Sequence, residues 1–154
     1  MQFDKPFKIG PFTVDSEGRI SPSDPATAPA FLFRCGGRLV RARLDRADAD
    51  TGRLDLQVTL ARVSSTASAS DDTLRPRSFT LLHWLTRAVP VGWRVDLLAD
   101  HRVCLKANTR IGLPITAAAL LTEVSCFALD LAPYLELLDE SGLTVTAADA
   151  VCSG

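Results

Sequence analysis

The residue types best suited to chemistry cluster in RVDLLADHRVCLK, residues 94–106, where Asp100, His101 and Cys104 fall within five positions. A carboxylate, an imidazole and a thiol at that spacing suit either a nucleophile–base pair or part of a metal site. A catalytic set also needs a group that orients the imidazole and a donor for the developing oxyanion. A zinc site needs about four ligands, and the chain has only two histidines and no cysteines spaced C-x-x-C. Trp93, Val95, Leu97 and Ala99 alternate with Arg94 and Asp96, and Val103 and Leu105 alternate with Cys104 and Lys106. The stretch therefore reads as a hairpin with Asp100, His101 and Arg102 as its loop. In that register Leu97 faces Leu105, and Asp96 lies across from Lys106 as a favourable cross-strand pair. No catalytic residue and no metal ligand is assigned. His83, on the flank of a helical stripe, is likewise read as an exposed or locally satisfied histidine.

The densest charge is in RCGGRLVRARLDR, with Arg34, Arg38, Arg41, Arg43 and Arg46. If Val40, Ala42 and Leu44 face the core, Arg41 and Arg43 share the outer face of one strand, and Arg34 joins them from the paired strand. Guanidinium forks grip carboxylates and phosphates in two-pronged fashion, so Arg34, Arg41 and Arg43 are the candidate partner-binding residues. Asp45, Asp48, Asp50 and Asp55 are near enough in sequence to neutralise them. Single-stranded RNA needs aromatics on the sheet for stacking. Here the aromatics fall on the inward set, so nucleic acid is not the expected partner.

The elements that carry these residues follow from periodicity. Residues 1–30 form a turn-rich segment with a short hairpin, its strand-like pieces at Phe12–Val14 and Arg19–Ser21 with a polar DSEG turn between them, and prolines 22, 25 and 29 in an extended connector. Phe31, Phe33 and Cys35 alternate with Leu32 and Arg34, and Gly36–Gly37 is a two-residue hairpin signal. Leu54, Leu56, Val58 and Leu60 mark the clearest strand, one face dry and the other wet. Residues 64–72 read as a polar loop. Apolar positions 81, 82, 85 and 88 have helical spacing, with Ser78 as cap and Pro90 as stop. Ala117, Leu120, Leu121, Val124, Phe127, Ala128, Leu131, Leu135 and Leu138 trace a longer helix that Pro133 should kink or restart and Gly142 should end. So long a helix over a small sheet leaves apolar surface for a partner or a second copy. Residues 143–154 form a tail that could add an edge strand.

The expected fold is one α+β domain over residues 1–154: a single mainly antiparallel sheet with two helices packed on one face, its core spanning 31–142. The 154 residues, 47% hydrophobic and with net charge −1, give no global field toward nucleic acid or anionic lipid. No signal-like segment and no uninterrupted apolar run of ~18 residues is present, so a cytoplasmic protein is expected. The four scattered cysteines argue against a disulfide framework. Arginine dominates the basic residues, as GC-rich bacterial coding would give. No G-x-S-x-G, H-E-x-x-H or Walker pattern occurs.

The order of FLFRCGGRLVRARL and GRLDLQVTLARV as strands, RSFTLLHWLTRAV as helix, WRVDLLADHRVCLK as hairpin and PITAAALLTEVSCFALDLAPYLELLDESG as final helix resembles the type III secretion chaperone fold and the related YbjN-type bacterial domains. The resemblance implies a non-enzymatic homodimer, without cofactor, that binds a peptide segment of another protein. The alternative is a small enzyme or small-molecule-binding domain with a pocket between sheet and helices.

Overall fold

Glycine turns and period-two alternation build the long strands. The computed structural model describes residues 4–63, 74–143 and 145. Strand β4 (Ala30–Cys35) turns into β5 (Arg38–Arg46) through Gly36 and Gly37, whose φ angles of +51° and +75° suit the tight mirror-type hairpin turn. β6 (Thr51–Arg62) pairs with β5 on one side and with β8 (Arg102–Gly112) on the other, and β7 (Arg94–Leu97) completes the sheet. The order is β4-β5-β6-β8-β7, all antiparallel, so β4 and β7 are the edges. Val40, Ala42, Leu44, Leu54, Leu56, Val58 and Leu60 are all buried, as the alternation requires.

The expectation of a single sheet with two helices packed on one face is corrected: the described residues form two antiparallel sheets and two helices. β1 (Phe7–Ile9), β2 (Phe12–Val14) and β3 (Ile20–Pro22) form a second, three-stranded antiparallel sheet. Pro22, Pro25 and Pro29 withdraw backbone donors between β3 and β4, and no ladder joins those strands. The small sheet is tied down elsewhere. Ile20 N–H donates to the Ile115 carbonyl at 2.9 Å, Ala117 N–H donates to Gly18 at 3.0 Å, and Phe12 meets Phe31 edge-to-face at 5.9 Å. Asp15 accepts from the amides of Glu17 and Arg19 and so fixes the DSEG turn.

The hairpin at 94–106 is real, but its register is not the expected one. Leu97 pairs with Val103 and Asp96 with Cys104, and Arg94 is the residue across from Lys106. The loop is Ala99, Asp100 and His101, one residue earlier than expected. His101 takes the left-handed position (φ +67°), and Asp100 accepts from the Arg102 amide. The slip moves pairs by two, so every side chain keeps its face. Asp96 still reaches Lys106, diagonally, at 3.6 Å.

Helix α1 (Leu74–Ala88) starts four residues before Ser78, with Pro76 in its first turn, where a missing N–H costs nothing. Helix α2 (Ala117–Glu140) is capped by Thr116, runs through Pro133 as one element, and does not restart there. It ends as expected at Gly142: Leu143 N–H donates to the Leu138 carbonyl and Gly142 N–H to Asp139. By length and composition α2 could cross a membrane. In this fold it sends Leu120, Val124, Phe127, Leu131, Leu135 and Leu138 into the core, which Leu82 and Leu85 of α1 join. Tyr134 of α2 donates its hydroxyl to the Ala88 carbonyl of α1. The 64–72 loop, and all of the tail except Leu143 and Val145, lie outside the described residues.

Candidate functional site

The Asp100–His101–Cys104 cluster is spent on structure. Asp100 takes the backbone amide and the guanidinium of Arg102, the latter at 2.6 Å. Desolvation works against its ionisation, but those bonds and the charges of Arg102 and Arg62 hold the carboxyl below its ordinary range. His101 is an exposed turn residue. Cys104 is buried and disulfide-bonded, a correction to its reading as a free thiol. Cys35 and Cys126 are free. Burial pushes the Cys35 thiol up, with nearby Arg38 partly offsetting, and its sulfur sits 3.6 Å from the Ala128 carbonyl, so it is no ready nucleophile. His83 is exposed on α1. Among the described residues no group of three or more His, Cys, Asp or Glu side chains could hold a metal ion.

The arginines divide sharply. Arg38 lies in phase with Val40, Ala42 and Leu44, and its side chain is only 3% exposed. Its fork meets both carboxylate oxygens of Asp139 (2.7 and 3.2 Å), and its donors also reach the carbonyls of Leu60, Gly36 and Leu143. Leu60 is the residue that the β6 bulge leaves out of the ladder. Arg38 therefore ties the β4–β5 turn, β6 and the end of α2 together. Arg34, Arg41 and Arg43 do share the outer face of β4 and β5. Arg43 is bonded to Asp45 at 3.0 Å, and Asp45 also meets Arg53 at 3.8 Å. Among the described residues Arg34 and Arg41 make neither an ion pair nor a side-chain hydrogen bond. Leu32 stands opposite Arg41, which places Arg34 on the diagonal, about 7 Å away.

Among the described residues Arg34 and Leu32 also belong to an unpaired edge. The Leu44 amide donates to the Pro29 carbonyl at 2.9 Å, which fixes the phase of the β4–β5 ladder. Phe31, Phe33 and Cys35 therefore turn their backbone groups toward β5, and Ala30, Leu32 and Arg34 turn theirs outward. Directly beside this edge, on the helix side, lies an apolar groove of about 370 Å³. Phe31 and Phe33 line it from β4, Ile9 and Phe12 from the β1–β2 hairpin, and Leu120 and Leu121 from α2. Leu121 is 66% exposed although it belongs to the apolar stripe of α2, and Ile9 is 53% exposed. The groove was not legible from local patterns, because three chain segments far apart in sequence form it. The one hint was the width of the α2 stripe.

A second cleft, about 410 Å³, lies at the proline-rich connector between Phe12, Pro25, Pro29, Leu44 and Leu113. Among the described residues neither helix lines it; the groove between Phe31, Phe33, Leu120 and Leu121 is the one that lies between sheet and helix, where the small-molecule alternative would place its pocket. Among the described residues Asp45 and Arg46 are the cleft's only charged linings, and Asp45 is already committed to Arg43 and Arg53. No family model, curated protein or solved structure matches this chain.

Proposed function

We propose that this chain is a small protein-binding module, adaptor or chaperone-like, that takes an extended segment of a partner along β4. Strand addition needs two things: backbone donors and acceptors left open on a sheet edge, and pockets that receive alternate side chains. The observation that supports this reading is their coincidence: the outward backbone groups of Leu32 and Arg34 run beside the groove lined by Phe31, Phe33 and Leu121. A segment paired there would send every second side chain into the groove, and its backbone would complete the ladder.

The edge itself can be tested without disturbing the fold. The Leu32 N–H points away from β5, so Leu32→Pro removes no intramolecular bond, and proline is tolerated at such edge positions. A labelled peptide alternating valine and threonine is the probe. Leu32→Pro is expected to keep the wild-type circular dichroism and lose about tenfold in peptide affinity, the worth of one hydrogen bond or slightly more. Leu121→Glu, which charges the groove, should lose at least as much. Unchanged affinity in both folded variants would remove β4 from the binding surface.

A further inference from the structure

We infer that the segment received by β4 is acidic on one face: apolar residues alternate with aspartate or glutamate, and Arg34 and Arg41 read the acidic positions. The inference rests on the strand-addition reading and adds its selectivity. Side chains of an added strand alternate between the two faces of the sheet. Those on the helix side enter the apolar groove. Those on the other side stand next to Leu32 and Arg34, with Arg41 one strand further in, about 10 Å away at the backbone and within reach of a guanidinium fork.

The charge there is uncompensated. Arg43 already faces Asp45, and the next carboxylate, Asp55, is bonded to Arg53 at 3.0 Å. Arg34 and Arg41 have no such partner among the described residues. Two free guanidinium groups on an open edge also act against a second copy of the chain, because pairing β4 with itself would gather four of them on one face. Natural edges are guarded by charge in this way. An acidic strand removes that repulsion, and a neutral or basic one does not.

The experiment compares three peptides of one length, with valine alternating with glutamate, threonine or lysine, against wild type and an Arg34→Glu/Arg41→Glu variant, with sedimentation run in parallel. Wild type should prefer the glutamate peptide over the threonine one by about fivefold, the yield of two exposed ion pairs, and added salt should erase the preference. The charge-swapped variant should prefer the lysine peptide. Equal binding of all three peptides overturns the acidic reading and leaves strand addition standing. Binding of none of them overturns both. A dimer that Leu121→Glu converts to monomer would make a second copy the occupant and overturn the inference as well.

Discussion

The β4–β5 hairpin has a closed end and an open side, and both are built on arginine. At the closed end Arg38 is buried, and its donors are matched to a carboxylate and three carbonyls. Along the open side Arg34 and Arg41 lie on the outer face beside an unpaired edge and an apolar groove. Residue type does not separate the two roles; the supply of partners does. A guanidinium whose donors are all used within the chain is part of the scaffold. One whose donors are free, next to a free backbone, is available to something else.

The largest test of this contrast is to truncate each kind of arginine. Arg38→Ala removes a bidentate ion pair, strips donors from three carbonyls and empties the volume of the stem. It should destabilise by roughly 3–5 kcal/mol, while Arg41→Ala should stay within about 0.5 kcal/mol. For a chain of this size the first shift is about 10 °C in Tm and the second is barely measurable. Similar shifts for the two variants would erase the distinction between latch and reader.

A smaller effect comes from the turn that the latch closes. Gly36 and Gly37 both have positive φ, but only Gly36 is packed: a Cβ there would sit 2.7 Å from Leu135 Cδ1 of α2, while Gly37 has nothing within 4 Å. Gly37→Ala should cost about 1–2 kcal/mol for the left-handed backbone alone. Gly36→Ala adds overpacking against α2, for about 2–4 kcal/mol in total. Equal costs in denaturant unfolding would mean that the closed end is not seated on the helix.

The same contrast explains how far the sequence could be read. Period-two and helical patterns found the long strands and both helices, because each of those signals is contained in one segment. Arg38 carried a signal too, since it shares the inward phase of Val40, Ala42 and Leu44, and a charge on the inward face has to be paired. The short hairpin of the N-terminal segment was legible and is β2–β3, but the third strand of its sheet, Phe7–Ile9, was missed because three residues, all exposed, are too few to establish an alternation. The groove and the open edge depend on which segments meet, and no window of the sequence contains Ile9, Phe31 and Leu121 together. The hairpin register slipped because Asp100 and His101 fit two loop placements one residue apart. The choice fell to His101 in the left-handed position and to the bond from the Arg102 amide to Asp100.

That turn gives the smallest test, and it sharpens the comparison from the scaffold side. Asp100 has the composition of a site, yet both of its oxygens are committed to Arg102. Its carboxyl lies below the ordinary range in the folded chain, so folding favours the ionised form. The sign follows: its contribution is fully present above the unfolded carboxylate value of about 3.9 and disappears as pH falls through the lower folded value. Asp100→Asn keeps an acceptor for the Arg102 amide and removes only the charge. Its melting temperature should fall slightly below wild type at pH 7, and the two should converge in acid. A gap that persists at low pH would assign the loss to turn geometry. Peptide binding at β4 should be untouched at every pH where the protein is folded, because Arg102 and Arg62, the charges that act on Asp100, lie on β8 and β6, two or more strands away from β4.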